Sequence, residues 1–269
     1  MTRYRYLALV LAGALLASPA VPAREQEPQT IKSLEGKTVE VKPGNVINGS
    51  SDLARENYRE FLDLVSDDPE LRAEAMRRLG DLELEATEAE QLSNNMESLD
   101  SIEYDNAVDL YQQLLEAYPD YRRNDVVLYQ LARAYEIGGQ TDQALAVLDE
   151  LVAKYPDTSL IDEVQFRRGE MLFLRKRYND AEMAYQVVVQ FGPASRFYQQ
   201  SLYKLGWSDF KLAWYEDSLV PFFTLLDIKL EGVDVGEGDE RLATLSRAER
   251  ELIEDTFRVL SVTFSYMDG

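Results

Sequence analysis

One spacing dominates this sequence. Ala107, Ala144, Ala181 and Ser218 stand 37 residues apart, and Tyr111, Leu148, Tyr185 and Phe222 keep the same step. So do Leu114, Leu151, Val188 and Leu225, then Pro119, Pro156 and Pro193, and upstream Ala132, Gly169 and Gly206. Leu230 breaks the proline column in the last copy. Five columns in register define a recurring unit, and recurrence at this period marks supersecondary units that stack on one another.

The spacing inside a copy shows what the unit is. Leu128, Leu131, Ala132 and Tyr135 fall at i, i+3, i+4 and i+7, one face of a helix. Gly138-Gly139 ends that helix, because glycine accepts the left-handed position at a helix C-terminus. Thr141-Asp142 is read as the cap of a second helix, whose stripe is Ala144, Leu148 and Leu151. Tyr155-Pro156-Asp157 closes it, since proline cannot continue a helix. The unit is a helix-turn-helix hairpin. The small residues of one helix (132, 169, 206) and of its partner (144, 181, 218) let the two axes approach closely.

Two copies are irregular. A first copy pairs a helix over 69–92, carrying Leu79-Gly80, with one over 104–118. Gly80 to Ala132 spans 52 residues, which places an insert near 87–101. Gly206 to Ser261 spans 55, which places another near 231–247. An amphipathic segment over 52–66 precedes the array and is expected to cap it. The organisation expected is thus a leader over 24–51, a capping helix over 52–68 and a solenoid over 69–269, with about four hairpins and an unpaired last helix.

These columns resemble the tetratricopeptide repeat family. Counted from Asp125, the small residues fall at the eighth and twentieth positions, the large apolar residue at the twenty-fourth and the proline at the thirty-second. The extra three residues per copy, with Ala-Tyr-Pro-Asp at 117–120 and Lys-Tyr-Pro-Asp at 154–157, are similar to the envelope subgroup of BamD-like and Tol–Pal-associated proteins. The resemblance covers residues 70–266. It implies an all-α solenoid of hairpins forming a right-handed superhelix, with the first helices lining a concave, partner-binding surface. Its contact columns are the fifth (Tyr129, Phe166, Tyr203), the ninth (Arg133, Glu170, Trp207) and the twelfth (Glu136, Phe173, Phe210). These nine residues are the candidate peptide groove, since rings give large contact area at low entropy cost. The competing reading has the aromatic fifth column packing between helices.

Composition removes most chemistry. The chain has no histidine and no cysteine, which excludes His-based triads and zinc sites, thiolate catalysis and disulfides. Its 49 acids against 28 bases give a net charge of -21, which repels nucleic acid. No catalytic residue, metal or cofactor is expected. The N-terminus carries Arg3 and Arg5, an apolar run over 7–17 and the small residues Val21 and Ala23 around a cut after Ala23. That is the pattern of a secretory signal peptide, and no later segment is apolar enough to span a bilayer. The expected compartment is the periplasm, with the extracellular space as the alternative, and the expected partner is an envelope protein or peptide.

Other clusters have plainer readings. Residues 79–121 hold twelve acids and no Lys or Arg, a solvated face or a surface for a basic partner. Arg175-Lys176-Arg177 lies in a turn, where it caps the preceding helix. Residues 231–240 carry five acids and three glycines without calcium-loop spacing and read as a loop. Glu136 and Glu170 are a carboxylate pair of the type glycosidases use, a pairing that chance supplies in so acidic a chain. The last helix, over 247–267, carries Ile253, Phe257, Leu260, Val262, Phe264 and Met267 around much of its girth and lacks a second helix. It implies further repeats beyond residue 269 or a docked partner. Two functions follow: an interaction adaptor or scaffold, or the non-catalytic arm of a larger envelope enzyme such as a peptidoglycan lyase or peptidase.

Overall fold

The computed structural model describes residues 48–64, 68–93, 102–231 and 245–267, and the chain from Ile47 onward forms one compact unit. The signal-like segment, most of the leader with the short strand expected near 38–41, and residues 232–244 of the acidic loop lie outside the described residues. Among the described residues the regular structure is helical, with ten α-helices and no strand. They are α1 (Asn48–Leu64), α2 (Pro69–Ser93), α3 (Ile102–Ala117), α4 (Asn124–Ile137) and α5 (Thr141–Lys154). There follow α6 (Ile161–Leu174), α7 (Tyr178–Gln190), α8 (Tyr198–Lys211), α9 (Tyr215–Leu230) and α10 (Arg247–Met267). Each helix packs on the one before and the one after it. The result is an α-solenoid of hairpins α2–α3, α4–α5, α6–α7 and α8–α9, with α1 before them and α10 after.

The repeating columns are its core. Tyr111, Leu148, Tyr185 and Phe222 are buried, as are Ala107, Ala144, Ala181 and Ser218 and the row Leu114, Leu151, Val188 and Leu225. Opposite each large residue lies the small one of the first helix. A Cβ on Gly80 would stand 2.7 Å from the Tyr111 ring, one on Gly169 2.7 Å from Tyr185, and one on Gly206 2.7 Å from Phe222. The glycines are therefore the hollows that accept the rings. The second hairpin solves the same contact with a smaller pair, Ala132 and Leu148.

The turns inside α4–α5, α6–α7 and α8–α9 each use one left-handed residue. Gly139 has φ +71°, and the residues one and two steps further on, Lys176 and Ala213, have φ +59° and +60°. A side chain there costs about 1 kcal/mol against glycine. Ala213→Gly is accordingly expected to raise stability by about 0.5–1 kcal/mol, after the looser unfolded chain is allowed for. Urea denaturation checks this, and a lower midpoint would contradict it.

Two local readings change. Thr141 does not cap α5; Gln140 precedes the helix without a side-chain cap, and Thr141 opens it. Its hydroxyl instead accepts a bond from Arg175 Nη2 at 2.9 Å, while Arg175 Nε donates to Asp142 Oδ1 at 3.0 Å. Arg175 Nη1 also donates to the carbonyl of Met171 at 3.2 Å, so it caps α6 and clips it to the preceding hairpin. The acidic run is also not wholly a solvated face. The insert begins as an extension of α2, which lies between α1, α3 and α4, so part of its circumference meets protein. Glu83, 4% exposed, is held by Arg55 and Arg59 of α1. Asp81 accepts from the Tyr111 hydroxyl at 2.8 Å and from Arg77 at 2.6 Å, and Glu88 pairs with Arg133. These inward acids dock α1 and α4 onto α2.

Candidate functional site

The first helices of the hairpins, α4, α6 and α8, carry the fifth, ninth and twelfth columns, and two adjoining cavities open along them. One, of about 720 Å³, lies between α4 and α6 and is lined by Glu136, Phe166, Arg167, Glu170 and Phe197. The other, of about 860 Å³, runs from α6 past α8 to α10 and is lined by Phe166, Glu170, Arg196, Tyr203, Lys204 and Lys229. Phe166 and Glu170 belong to both, so the two form one trough.

Four of the nine groove candidates, Glu136, Phe166, Glu170 and Tyr203, line this trough. Phe166 is stacked on Phe197, with ring centroids 4.8 Å apart and 18° between planes. Glu170 accepts from the Tyr185 hydroxyl at 2.6 Å and from Lys204 Nζ at 3.0 Å. Glu136 accepts from Arg167 Nη1 at 3.0 Å. Both members of the carboxylate pair are thus held by cations. The Tyr203 hydroxyl donates to Asp255 of α10, and burial, helped by that carboxylate, pushes its pKa up to about 12.

The other five stand beside the trough. Tyr129 is buried and its hydroxyl donates to Glu163 Oε1 at 2.6 Å; burial first, then Glu163, pushes its pKa up to about 12. Arg133 is engaged with Glu88 and Gln130. Phe173 meets Tyr178 edge-on at 5.2 Å and lies 5.2 Å beneath Lys204 Nζ. Trp207 and Phe210 meet edge-on at 5.6 Å, and Phe210 continues to Tyr215 and Tyr266, so they knit α8, α9 and α10 together.

The structure adds cations that the contact columns omit. Arg167 donates to the Tyr129 hydroxyl at 3.1 Å as well as to Glu136, and Arg196 bonds Glu163 at 2.6 Å and lies 4.6 Å over the Phe197 ring. Burial disfavours the Glu163 charge, but Tyr129, Arg167 and Arg196 outweigh it and hold its pKa below the usual range. For Arg167 and Lys204 a signal was present in the sequence: the column next to the aromatic one reads Gln130, Arg167, Lys204, a base in two of three copies. The trough is an aromatic floor with cationic walls, each cation already matched to a carboxylate. Such a surface offers ring faces for stacking and paired charges for exchange. Among the described residues no group of three or more acids is placed to hold a metal ion, and no helix is long and apolar enough to cross a membrane.

Comparison with known proteins agrees with the architecture. The tetratricopeptide repeat family model matches residues 99–165, spanning the α3 to α6 region. No curated protein sequence matches the chain. Among solved structures, it is similar to a tetratricopeptide repeat protein from Parabacteroides merdae at 16% identity, covering 83% of this chain and 73% of that one with a TM-score of 0.52. It is also similar to BtubC (BKLC) from P. vanneervenii at 15% identity, covering 82% and 91% with a TM-score of 0.49. The fold is an all-α solenoid of the tetratricopeptide type, an architecture that serves as a scaffold for protein interactions.

Proposed function

We propose that this chain is a periplasmic interaction scaffold of the bacterial cell envelope, which holds a peptide or helix of an envelope protein in the trough along α4, α6 and α8. The observation that carries the reading is the continuity of the trough through Phe166 and Glu170. One bound segment running along it touches three hairpins at once. The export pattern of residues 1–23 and the envelope-like repeat endings support the compartment. No bond is made or broken; the function is equilibrium capture on a preformed surface.

Glu136, Arg196 and Lys204 test it, because their side chains sit in the walls and not in the helix-packing core. The triple variant E136A/R196A/K204A is expected to weaken capture of envelope proteins at least tenfold while shifting the melting temperature by no more than about 2 °C. A photo-cross-linker at Arg196 should trap a partner in cells, and one at Lys154 should not. Equal capture by the variant, or equal trapping at both sites, would remove the trough from the function. A mature chain beginning at Arg24 is the expected result of N-terminal sequencing, and retention of Met1 would contradict export by cleavage.

A further inference from the structure

One buried position of the first helices holds an acid in two copies, and the two are treated in opposite ways. Glu83 stands three residues after Gly80, and Asp209 three residues after Gly206. They are 4% and 5% exposed. Glu83 is held by Arg55 and Arg59, which reach across from α1. Asp209 has no such cation, and its carboxyl makes no hydrogen bond or ion pair among the described residues. The charges that face it are acids, Glu182 from α7 and Asp217 from α9. Bases near it in the chain are engaged elsewhere. Arg177, just before α7, pairs with Asp180, and Arg196, before α8, pairs with Glu163. Lys204 pairs with Glu170, and Lys211 lies over the rings of Trp207 and Phe210. Asp209 also sits in the last turn of α8, where the negative end of the helix dipole opposes a carboxylate.

The junction between α7 and α8 therefore closes well only around a neutral Asp209. Burial, with Glu182 and then Asp217 adding to it, raises that carboxyl's pKa to about 7. Closed, the junction keeps the proton up to that pH; opened to water, Asp209 releases it near 3.8. Acid thus favours closure, and the opening constant grows by up to about tenfold per pH unit as the pH rises through this window. A solenoid is held by contacts between neighbours alone, so one weakened interface can part while the hairpins beyond it stay folded.

We propose that the α7–α8 junction is a proton-operated joint: with Asp209 protonated the fourth hairpin stays seated on the third, and loss of that proton parts the two while the earlier hairpins remain folded. The joint cuts across the trough. Phe166 and Glu170 stand on its α6 side and Tyr203 and Lys204 on its α8 side, and the 3.0 Å bond from Lys204 to Glu170 spans it. Parting the hairpins divides the trough, so rising pH releases what the trough holds. That consequence rests on the binding role proposed above; the joint itself does not.

Amide hydrogen exchange of the whole chain in increasing urea tests the joint, with rates corrected for the intrinsic effect of pH. At pH 8 the amides of α8 and α9 are expected to be less protected than those of α4 and α5. Their exchange should also depend less steeply on urea, the mark of a partial opening. Moving to pH 5 should raise their protection at least about tenfold. Asp209→Asn should hold the junction closed at both pH values and remove that gain, and so should Asp209→Leu, which copies Leu172 in the same column. Equal protection and equal urea dependence in the two hairpins overturns the proposal, because the array then unfolds as one. So does protection that ignores pH in the parent chain, or a pH effect that survives both variants. No partner enters this measurement, so its failure leaves the trough standing, and a failure of the capture experiment leaves the joint standing.

Discussion

Asp209→Asn is expected to stabilise the array by about 2–4 kcal/mol at pH 8, with the gain shrinking steadily as the pH falls toward 4. The reason lies in two columns. The position of Asp209 is occupied elsewhere by Tyr135, Leu172 and Phe264, and that of Glu182 by Val108, Leu145 and Leu219. At this one junction, between α7 and α8, both apolar residues are replaced by acids. Asp209 is 5% exposed and its carboxyl has no hydrogen-bond or ion-pair partner among the described residues. Burial raises its pKa to about 7, and the charges of Glu182 on α7 and Asp217 on α9 push the same way. Glu182 is itself raised, by burial and by Asp217.

The sign follows from linkage. The folded chain keeps the Asp209 proton up to about pH 7, whereas the unfolded chain releases it near 3.8. Stability is therefore lost as the pH rises through that window, by about 4 kcal/mol at 1.36 kcal/mol per pH unit. An amide removes the charge but leaves a buried polar group, which trims the gain. Other carboxylates act in the opposite sense. Glu74, held to about 2 chiefly by its bond from Arg77 against burial, contributes stability that is lost only in strong acid. The quantity to measure is thus the variant-minus-parent difference in urea unfolding at pH 5 and pH 8, in which Glu74 cancels. A difference that does not change between the two pH values would show that Asp209 ionises freely in the folded chain.

The columns that made the fold legible also hid this junction. Small and large residues at a fixed step report packing, and packing between neighbours is what a solenoid consists of. Helix ends followed for three copies, where Pro119, Pro156 and Pro193 stand just beyond α3, α5 and α7. Ion pairs are not periodic in the same way. Glu83 meets Arg55 and Arg59, and Glu163 meets Arg196, across 24 to 33 residues that no single period links. Twelve acids in a row thus read as one surface when three of them hold helices together. The groove was legible in part for a related reason. The contact columns give the angular position of a side chain on its helix. Whether it ends in open space depends on the next hairpin, which covers Tyr129 and leaves Glu136 and Tyr203 at the cavities. Arg196, in the loop before α8, lies on no helix column at all.

The core contact itself is best tested as a pair. Gly169→Ala is expected to destabilise the chain by about 2–3 kcal/mol, although alanine favours a helix by about 1 kcal/mol over glycine. The new methyl carbon would lie 2.7 Å from Tyr185 Cε1, and that ring is fully buried and tethered at its far end by its 2.6 Å bond to Glu170. Tyr185→Leu alone should also destabilise, by about 2–3 kcal/mol, because it opens a cavity over Gly169 and removes the bond to Glu170. Together the two changes recreate the Ala132–Leu148 pair that the second hairpin uses, both buried in the same columns. The double variant should therefore be more stable than the sum of the single losses predicts, with a coupling of about 1–2 kcal/mol. Strict additivity would mean that the two residues do not share one packing site. The step of 37 would then record two independent preferences, not a hollow and the side chain that fills it.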